Sequence, residues 1–401
     1  MDLANLRLKK NEDRRLRAGH VWIYSNEIDT KTTPLKNFQP GQEVRVEAAD
    51  KTFLGIAYIN PQSLISARLI SRHTKDRFDV ALISQRLQDA LQWRERFYPK
   101  PFYRLVFGES DGLPGLVMDR FGNHLVVQIN TAGMETKKAD ILTAIQTVMP
   151  DIESVLFRND SPSRLHEGLT LYVEAGFGTP PERVELEENN TLFSAPLWEG
   201  QKTGWFYDHR LNRARLLDYV ADKDVLDVFS YLGGWGLQAA KFGASSVTCV
   251  DASAIAAEWI SKNAALNSVA DKVDVICDDA FDALKKLHQA GKKFDVIILD
   301  PPAFVKKQKD KKEGLLAYQR MNEIALKLLT PSGIVASCSC SMHVEYHDLL
   351  QAIRRASLQA HCDIHIVERG HQAQDHPVHV AIPETDYLKM IIVRKLAVHT
   401  P

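Results

Sequence analysis

Two residues with reactive side chains follow apolar segments late in the chain. Asp300 comes directly after residues 296–299 and opens an Asp-Pro-Pro-Ala-Phe sequence, and Cys340 follows the apolar run that begins at Gly333. A carboxylate can hold a nitrogen-bearing ring, and a thiolate can add to C6 of a pyrimidine and make C5 nucleophilic. We therefore predict that Asp300 and Cys340 are catalytic in a reaction on a pyrimidine.

Cys338 is a second candidate for the nucleophile. It lies two positions before Cys340, and residues two apart on a strand share a face. Cys340 is nearer to the carboxyl end of the strand, where Asp300 is also expected, so we favour Cys340. A buried and inert thiol remains the alternative for either cysteine.

The residues after Asp300 are candidates for binding a base. Pro301 and Pro302 fix the backbone and have no N–H groups, so the carbonyls before them can accept from an exocyclic amine. Phe304 is either a stacking platform for a base or a packing residue. Lys306 and Lys307 open a cationic run that either contacts phosphates or forms a solvated surface.

A glycine-rich loop precedes these residues and indicates an adenosyl ligand. Gly233 and Gly234 lie between a strand and a helix, and Asp251 follows 18 positions after Gly233, near the spacing at which a carboxylate meets ribose hydroxyls. Asp279 follows the next strand. Because the loop lacks the G-x-G-x-x-G order, S-adenosylmethionine (SAM) fits better than NAD. The alternatives are that Asp251 caps the helix before Ser253 and that Asp279 is an ordinary loop carboxylate.

The elements around these residues predict a mostly parallel α/β sheet. From Val225 onward, short apolar strands alternate with helical segments, which is typical of a sheet covered on both faces. Residues 364–367 and 387–393 have no helix between them, so we predict that these two strands pair antiparallel at one edge.

The first half of the chain has a different pattern. Short alternating runs over residues 6–72 predict a small β-barrel, and a helix over residues 79–97 leads into an α+β segment that closes near residue 188. We therefore place domains at 1–75, 76–188 and 189–401. Residues 1–77 contain 14 Lys and Arg and 9 Asp and Glu. This positive excess is equally consistent with a surface that contacts phosphates and with an ordinary solvated surface.

Composition excludes several classes of protein. The 401 residues have a formal net charge of −1, which argues against a globally basic nucleic-acid coat. The five cysteines form no C-x-x-C pair, so we predict no disulfide framework and no metal, in a reducing cytoplasmic setting. No apolar run reaches the roughly 20 residues that cross a bilayer, and the charged N-terminus does not match a secretory signal.

Taken together, these motifs resemble the RlmI-type family of SAM-dependent 23S ribosomal RNA methyltransferases, which make 5-methylcytosine. The resemblance runs over essentially the whole chain. The motifs that carry it are 19–22, 108–115, 119–123, 202–204, 208–210, 225–234, 300–304, 339–341, 375–377 and 387–389.

The resemblance implies a fold and a set of partners. It implies a PUA-like RNA-binding domain, a central α+β domain and a Rossmann-like class I methyltransferase domain, paired as a homodimer. It also places the family's nucleophile on Cys340 and implies a loop over SAM at residues 202–210. The implied cofactor-binding residues are Thr203, Asp208, Arg210, Asp227, Phe229, Gly233, Gly234, Asp251, Ser253, Asp279 and Asp300.

The sequence thus predicts methyl transfer from SAM to C5 of a cytosine in ribosomal RNA through a covalent cysteine adduct. Three alternatives stay open: a uracil-5 methyltransferase, an exocyclic-amine RNA methyltransferase, and a non-catalytic RNA-binding assembly factor.

Overall fold

A computed structural model describes residues 3–396 of the chain. The described residues divide into two compact units. The first unit comprises residues 3–184, 196–207 and 374–385, and the second comprises residues 185–195, 208–373 and 386–396.

The first unit begins with a five-stranded sheet. Its elements are β1 (Ala4–Arg7), α1 (Arg14–Arg17), β2 (Trp22–Tyr24), β3 (Gln42–Glu47), β4 (Phe53–Ile59) and β5 (Ile65–Ser71). The strand order is β1-β3-β4-β5-β2, so β1 and β2 are the two edges. Leu8 and Ile28 follow these edge strands and form a bridge that brings the edges together, as a barrel requires. Buried residues such as Val44 and Val46 fill the interior.

A second sheet in the same unit is covered by helices. Its elements are α2 (Val80–Glu95), β6 (Phe102–Phe107), β7 (Leu116–Phe121), β8 (His124–Ile129), α3 (Ala132–Glu135), α4 (Lys138–Val148), β9 (Ser154–Asn159) and β10 (Tyr172–Phe177). Helix α2 begins where the Asp79 carboxylate accepts from the backbone N–H of Leu82, an N-cap contact. Its buried residues Ile83, Leu87 and Leu91 recur at helical spacing and pack into the core of this sheet.

Buried polar contacts join the two sheets of the first unit. The Tyr58 hydroxyl donates to the carbonyl of Pro114 over 2.8 Å. Arg68 forms a buried ion pair with Glu167 at 3.0 Å, and Asn60 donates to the same carboxylate over 2.8 Å. Because these groups would be left unpaired if the sheets separated, removing residues 1–72 should damage the rest of the unit. The domain boundaries themselves remain a prediction.

The second unit contains a seven-stranded sheet. A hairpin of β11 (Arg183–Glu188) and β12 (Thr191–Pro196) precedes it. Its strands are β13 (Asp224–Val228), β14 (Ser246–Asp251), β15 (Val273–Cys277), β16 (Phe294–Leu299), β17 (Leu329–Ser339), β18 (Ile364–His371) and β19 (Lys389–Lys395). Its helices are α5 (Arg210–Leu216), α6 (Gly236–Lys241), α7 (Ala254–Leu266), α8 (Ala280–Gln289), α9 (Lys311–Leu328) and α10 (Tyr346–Gln359).

The order of these strands indicates where a ligand would bind. The sheet runs β15-β14-β13-β16-β17-β19-β18, and its first five strands are parallel. The strand order reverses between β13 and β16, and ligands of open α/β sheets bind at the carboxyl ends of strands at such a point. The predicted mostly parallel sheet is confirmed.

The predicted antiparallel pairing of the two late strands is also confirmed. The structure adds that β19 lies between β17 and β18, with Lys389 opposite Ser339.

Among residues 3–396, no helix combines the length and apolar character needed to cross a bilayer.

Candidate active site

The glycine-rich loop follows β13 and has an unusual backbone. Phe229 and Tyr231 have positive φ angles of 67° and 51°, and Gly233 has a φ of 84°. A Cβ atom on Gly236 would lie 2.7 Å from the Cys249 sulfur, so only glycine fits at that position. The predicted loop residues Gly233 and Gly234 are both buried.

Asp227 anchors this loop from inside the sheet. Its Oδ2 accepts from the Gly236 N–H over 2.9 Å, and its side chain is fully buried. Oδ1 has no hydrogen-bond partner within the part of the chain that the structure describes. Burial raises the pKa of Asp227 to about 7. A buried acceptor with spare capacity beside a tight backbone loop fits a ligand that carries hydrogen-bond donors.

Asp251 and Asp279 follow the next two strands and have different roles. Asp251 accepts from the backbone N–H groups of Tyr231 and Ser253, both over 2.9 Å, and so ties the glycine loop to the end of β14. Ser253, and not Asp251, is the N-cap of α7. Asp279 is the N-cap of α8, since it accepts from Phe281 over 2.9 Å. The interpretation of Asp251 as the helix cap is therefore wrong.

Asp300 lies at the end of β16 with both oxygens engaged. Oδ1 is 3.2 Å from His209 Nε2, and Oδ2 accepts from the indole N–H of Trp235 over 3.0 Å. Burial would raise the pKa of this carboxyl, but His209 and the two hydrogen bonds outweigh burial and hold the pKa below its ordinary value. Asp300 is therefore an ionised carboxylate at neutral pH.

The two neighbouring cysteines have different environments. Cys338 is fully buried on β17, and burial together with the negative charge of Asp300 raises the pKa of its thiol well above the ordinary value. Cys340 lies just past the strand, is partly exposed, and places its sulfur 3.8 Å from the carbonyl oxygen of Pro301. This position brings Cys340 to the Asp-Pro-Pro segment.

Polar groups hold the chain on both sides of Cys340. The Tyr318 hydroxyl is 2.9 Å from Ser339 Oγ and 3.1 Å from Ser341 Oγ. The Lys389 ammonium donates to the Ser341 carbonyl over 2.9 Å, and burial lowers the pKa of Lys389 to about 8. These contacts hold the backbone of residues 339–341 and thereby position the thiol between them.

The residues that were predicted to bind the base differ in their packing and exposure. Phe304 packs against Tyr318, with ring centroids 4.9 Å apart, and lies near Phe229 and Phe281. These contacts favour the packing interpretation of Phe304 over a free stacking platform. Lys306 and Lys307 are exposed.

The residues predicted to form a loop over SAM fall in both units. Thr203 belongs to the first unit, where it is buried. In the second unit, Asp208 accepts from the Tyr387 hydroxyl over 2.5 Å, and Arg210 lies 3.6 Å from the buried carboxylate of Glu188. Contact of these residues with a cofactor stays a prediction.

Sequence reasoning missed the residues that hold Asp300. His209 lies inside the Asp-His-Arg motif and Trp235 inside the glycine loop, so both stood in recognised segments without a role. His209, Asp300 and Cys338 bring three potential metal-ligand atoms within 4.8 Å of one another. Because His209 and Asp300 are already paired, we interpret this cluster as a hydrogen-bonded group.

Two protein-family models match the chain. Residues 6–72 match a PUA-like domain, and residues 171–393 match an S-adenosylmethionine-dependent methyltransferase. The second match covers more than half of the chain and contains the glycine loop, Asp300 and Cys340.

Full-length relatives agree with these matches. The chain is 34% identical over 391 residues to the Ribosomal RNA large subunit methyltransferase I of Cronobacter sakazakii, covering 96% of this chain and 98% of the relative. It is 36% identical over 394 residues to the protein of the same name from Shewanella frigidimarina, covering 97% of this chain and 98% of the relative.

Solved structures share the fold. A SAM-dependent methyltransferase from Streptococcus mutans superimposes with a TM-score of 0.83 at 22% identity, over 98% of this chain and 100% of that one. A methyltransferase complexed with SAH gives a TM-score of 0.84 at 21% identity, again over 98% and 100%. From its strand order, its glycine loop and these matches, the chain belongs to the family of S-adenosylmethionine-dependent methyltransferases.

Proposed function

We propose that the protein transfers a methyl group from SAM to C5 of a cytosine in large-subunit ribosomal RNA, with Cys340 as a covalent nucleophile. The observation that carries this proposal is the position of a partly exposed thiol, that of Cys340, beside the segment that begins with the ionised Asp300. Cys340 reaches Pro301, the residue directly after Asp300. The names of the full-length relatives support the choice of RNA.

The second unit has residues suited to holding SAM. Asp227 offers a buried oxygen that lacks a partner among the described residues, and Gly233 opens the backbone of the loop. Asp251, already fixed by two backbone N–H groups, keeps lone pairs that can accept from hydroxyls. When bound, SAM supplies an electrophilic methyl group. We include Ser253, Asp279 and Phe229 in this site as predicted.

The proposed reaction begins with the thiol of Cys340. The Cys340 thiolate forms a bond to C6 of the cytosine, which makes C5 nucleophilic toward the methyl group. After C5 is methylated, a base removes the C5 proton, the C6–S bond breaks and the thiolate is regenerated. Ala303, which follows the two prolines, has no side chain that can remove a proton, so we assign proton removal to another group or to water.

The ionised state of Asp300 defines how it contacts the ring. An ionised carboxylate only accepts hydrogen bonds, whereas N3 of a neutral cytosine is itself an acceptor. Asp300 therefore accepts first from the exocyclic N4 amine, and it stabilises N3 once N3 takes up a proton from water during thiolate addition. N3 returns this proton to water when the C6–S bond breaks.

The target base must be unpaired to reach the strand ends, because a base inside a duplex is shielded by stacking. We assign RNA affinity to the basic N-terminal barrel and to Lys306 and Lys307, and we propose a cytoplasmic homodimer. Comparison of ribosomal RNA from deletion and parent strains by nucleoside mass spectrometry tests the whole assignment. Loss of one 5-methylcytidine supports it, whereas loss of 5-methyluridine or of an N-methylated base supports an alternative.

Asp251→Ala should weaken SAM binding by about 1.5 to 3 kcal/mol, because a charged acceptor is lost from a partly buried site. Isothermal titration calorimetry measures this change. Asp274→Ala removes an exposed carboxylate from the neighbouring strand β15 and serves as the matched control. Equal SAM affinity in Asp251→Ala and the parent would remove Asp251 from the site.

Neutralising exposed basic residues of the N-terminal barrel should weaken RNA binding and leave SAM binding unchanged. Each lost phosphate contact lowers the slope of log affinity against log salt by about 0.7 to 0.9, so three lost contacts lower it by about 2 to 3. The test variant carries Lys10→Ala, Arg14→Ala and Arg17→Ala, all exposed. The control variant carries Lys223→Ala, Lys241→Ala and Lys262→Ala, which are exposed on the second unit. An equal loss in both variants would contradict a specific role of the barrel.

A further inference from the structure

A chain of four side chains ends on the Asp300 carboxylate. Arg215 Nη1 donates to Asn212 Oδ1 over 3.2 Å, and Asn212 Nδ2 is 3.3 Å from His209 Nδ1. His209 Nε2 is 3.2 Å from Asp300 Oδ1. Asn212 is fully buried and His209 nearly so. The His209 ring thus links Asn212 to Asp300.

The donor and acceptor of each hydrogen bond in this series of side chains follow from the chemistry of arginine. Arginine has donors only, so Asn212 must present its oxygen to Arg215 and its NH₂ group to His209. His209 Nδ1 therefore accepts, which places the imidazole proton on Nε2, facing Asp300. The arrangement assigns His209 the tautomer that donates to the carboxylate.

The backbone nearby is adapted to this arrangement. A Cβ atom on Gly370 would lie 2.2 Å from Asn212 Oδ1, so the absence of a side chain on β18 leaves room for the amide. The His209 ring also meets Trp235 edge to face, with centroids 5.2 Å apart. Trp235 in turn donates to the second oxygen of Asp300.

We propose that His209 is a positioning residue that, with its tautomer set by Asn212, keeps the Asp300 carboxylate ionised and oriented toward the cytosine. This inference rests on the proposed function, because it assigns His209 a role in the same reaction. His209 does not touch the base in this role. It acts by donating a hydrogen bond to Oδ1 of Asp300, while Trp235 donates to Oδ2.

The charged and titratable groups around Asp300 determine what happens when His209 is removed. They are Asp208 beside His209, Asp227 on β13 and Cys338 on β17. Asp208 and Asp227 are acidic, Cys338 is an uncharged thiol because burial raises its pKa, and burial also opposes the charge on Asp300. Without His209, these effects raise the pKa of Asp300, so the carboxylate becomes protonated at a higher pH than in the parent.

The test is the pH profile of kcat/KM for methyl transfer from tritiated SAM to large-subunit ribosomal RNA, between pH 5.5 and 9. In His209→Ala, the acidic limb of the profile should move upward, so that the activity loss relative to the parent grows as the pH falls from 8.5 to 5.5. Each pKa unit by which the limb moves makes the loss tenfold greater at a pH below both limbs. His209→Gln keeps a side-chain N–H donor and should move the limb back toward the parent position. Asn212→Leu removes the tautomer constraint and should give an intermediate shift.

Two measurements separate this role from a general loss of structure. SAM affinity by calorimetry and the thermal unfolding midpoint check that each variant is folded, and the exposed His288→Ala is the matched control. An activity loss in His209→Ala that is the same at every pH would overturn the inference. If the parent enzyme forms no 5-methylcytidine, the proposed function fails, whereas 5-methylcytidine from the parent with an unmoved acidic limb in His209→Ala contradicts the positioning role alone.

Discussion

Cys340→Ala should abolish methyl transfer, while Cys338→Ala should keep activity within about tenfold of the parent. Both thiols lie near the Asp-Pro-Pro segment, since the Cys338 sulfur is within 4.8 Å of an Asp300 oxygen and the Cys340 sulfur is 3.8 Å from the Pro301 carbonyl oxygen. Of the two, Cys340 is partly exposed and Cys338 is buried. Removing a catalytic nucleophile typically lowers kcat on the order of 10⁴-fold or more. Cys338 is fully buried, with a thiol pKa raised by burial, so it is a poor nucleophile.

A covalent trap measures the same difference directly. Large-subunit ribosomal RNA transcribed with 5-fluorocytidine has no C5 proton to remove, so an adduct that survives denaturant should accumulate with the parent and with Cys338→Ala. The adduct should be absent with Cys340→Ala. The reverse pattern would assign catalysis to Cys338. Absence of an adduct with every variant would favour amine methylation, which needs no thiol.

Asp300→Asn should lower kcat/KM by about 10² to 10⁴-fold, because the group that carries negative charge toward the ring is lost. The substitution preserves shape but not hydrogen bonding. His209 and Trp235 both donate to Asp300, and an asparagine has only one oxygen, so its NH₂ group must face one of these donors. The amide therefore cannot reproduce the present orientation.

Single-turnover methyl transfer and adduct formation measure this effect. Asp282→Asn, an exposed carboxylate on α8, is the matched control and should behave like the parent. If Asp300→Asn forms the fluorocytosine adduct at the parental rate, Asp300 does not assist thiolate addition. A loss of SAM affinity with an unchanged single-turnover rate would assign Asp300 to cofactor binding alone.

Local sequence patterns were sufficient to predict the alternation of strands and helices from Val225 onward. Apolar runs of strand length alternate with helical segments, and this periodicity depends only on neighbouring residues. Because parallel strands end at one edge, the same pattern placed Asp251, Asp300 and Cys340 at that edge without coordinates. The spacing of glycines likewise predicted where the backbone must take conformations that side chains disfavour, as at Gly233.

Other features depend on which distant segments meet. Trp235 and Asp300 are 65 positions apart, and no periodicity in the sequence relates them. The insertion of β19 between β17 and β18 brings Lys389 beside Ser341. Side-chain packing decided that Phe304 faces other aromatic rings.

The sequence by itself determined the strand-helix order, the glycine loop and the reactive residues at the strand ends, because each follows from local periodicity and residue type. Only the tertiary structure decided that His209 pairs with Asp300 and that Cys338 is buried while Cys340 is accessible. Ionisation and reactivity depend on burial and on hydrogen-bond partners, and both are set by contacts between residues far apart in the chain.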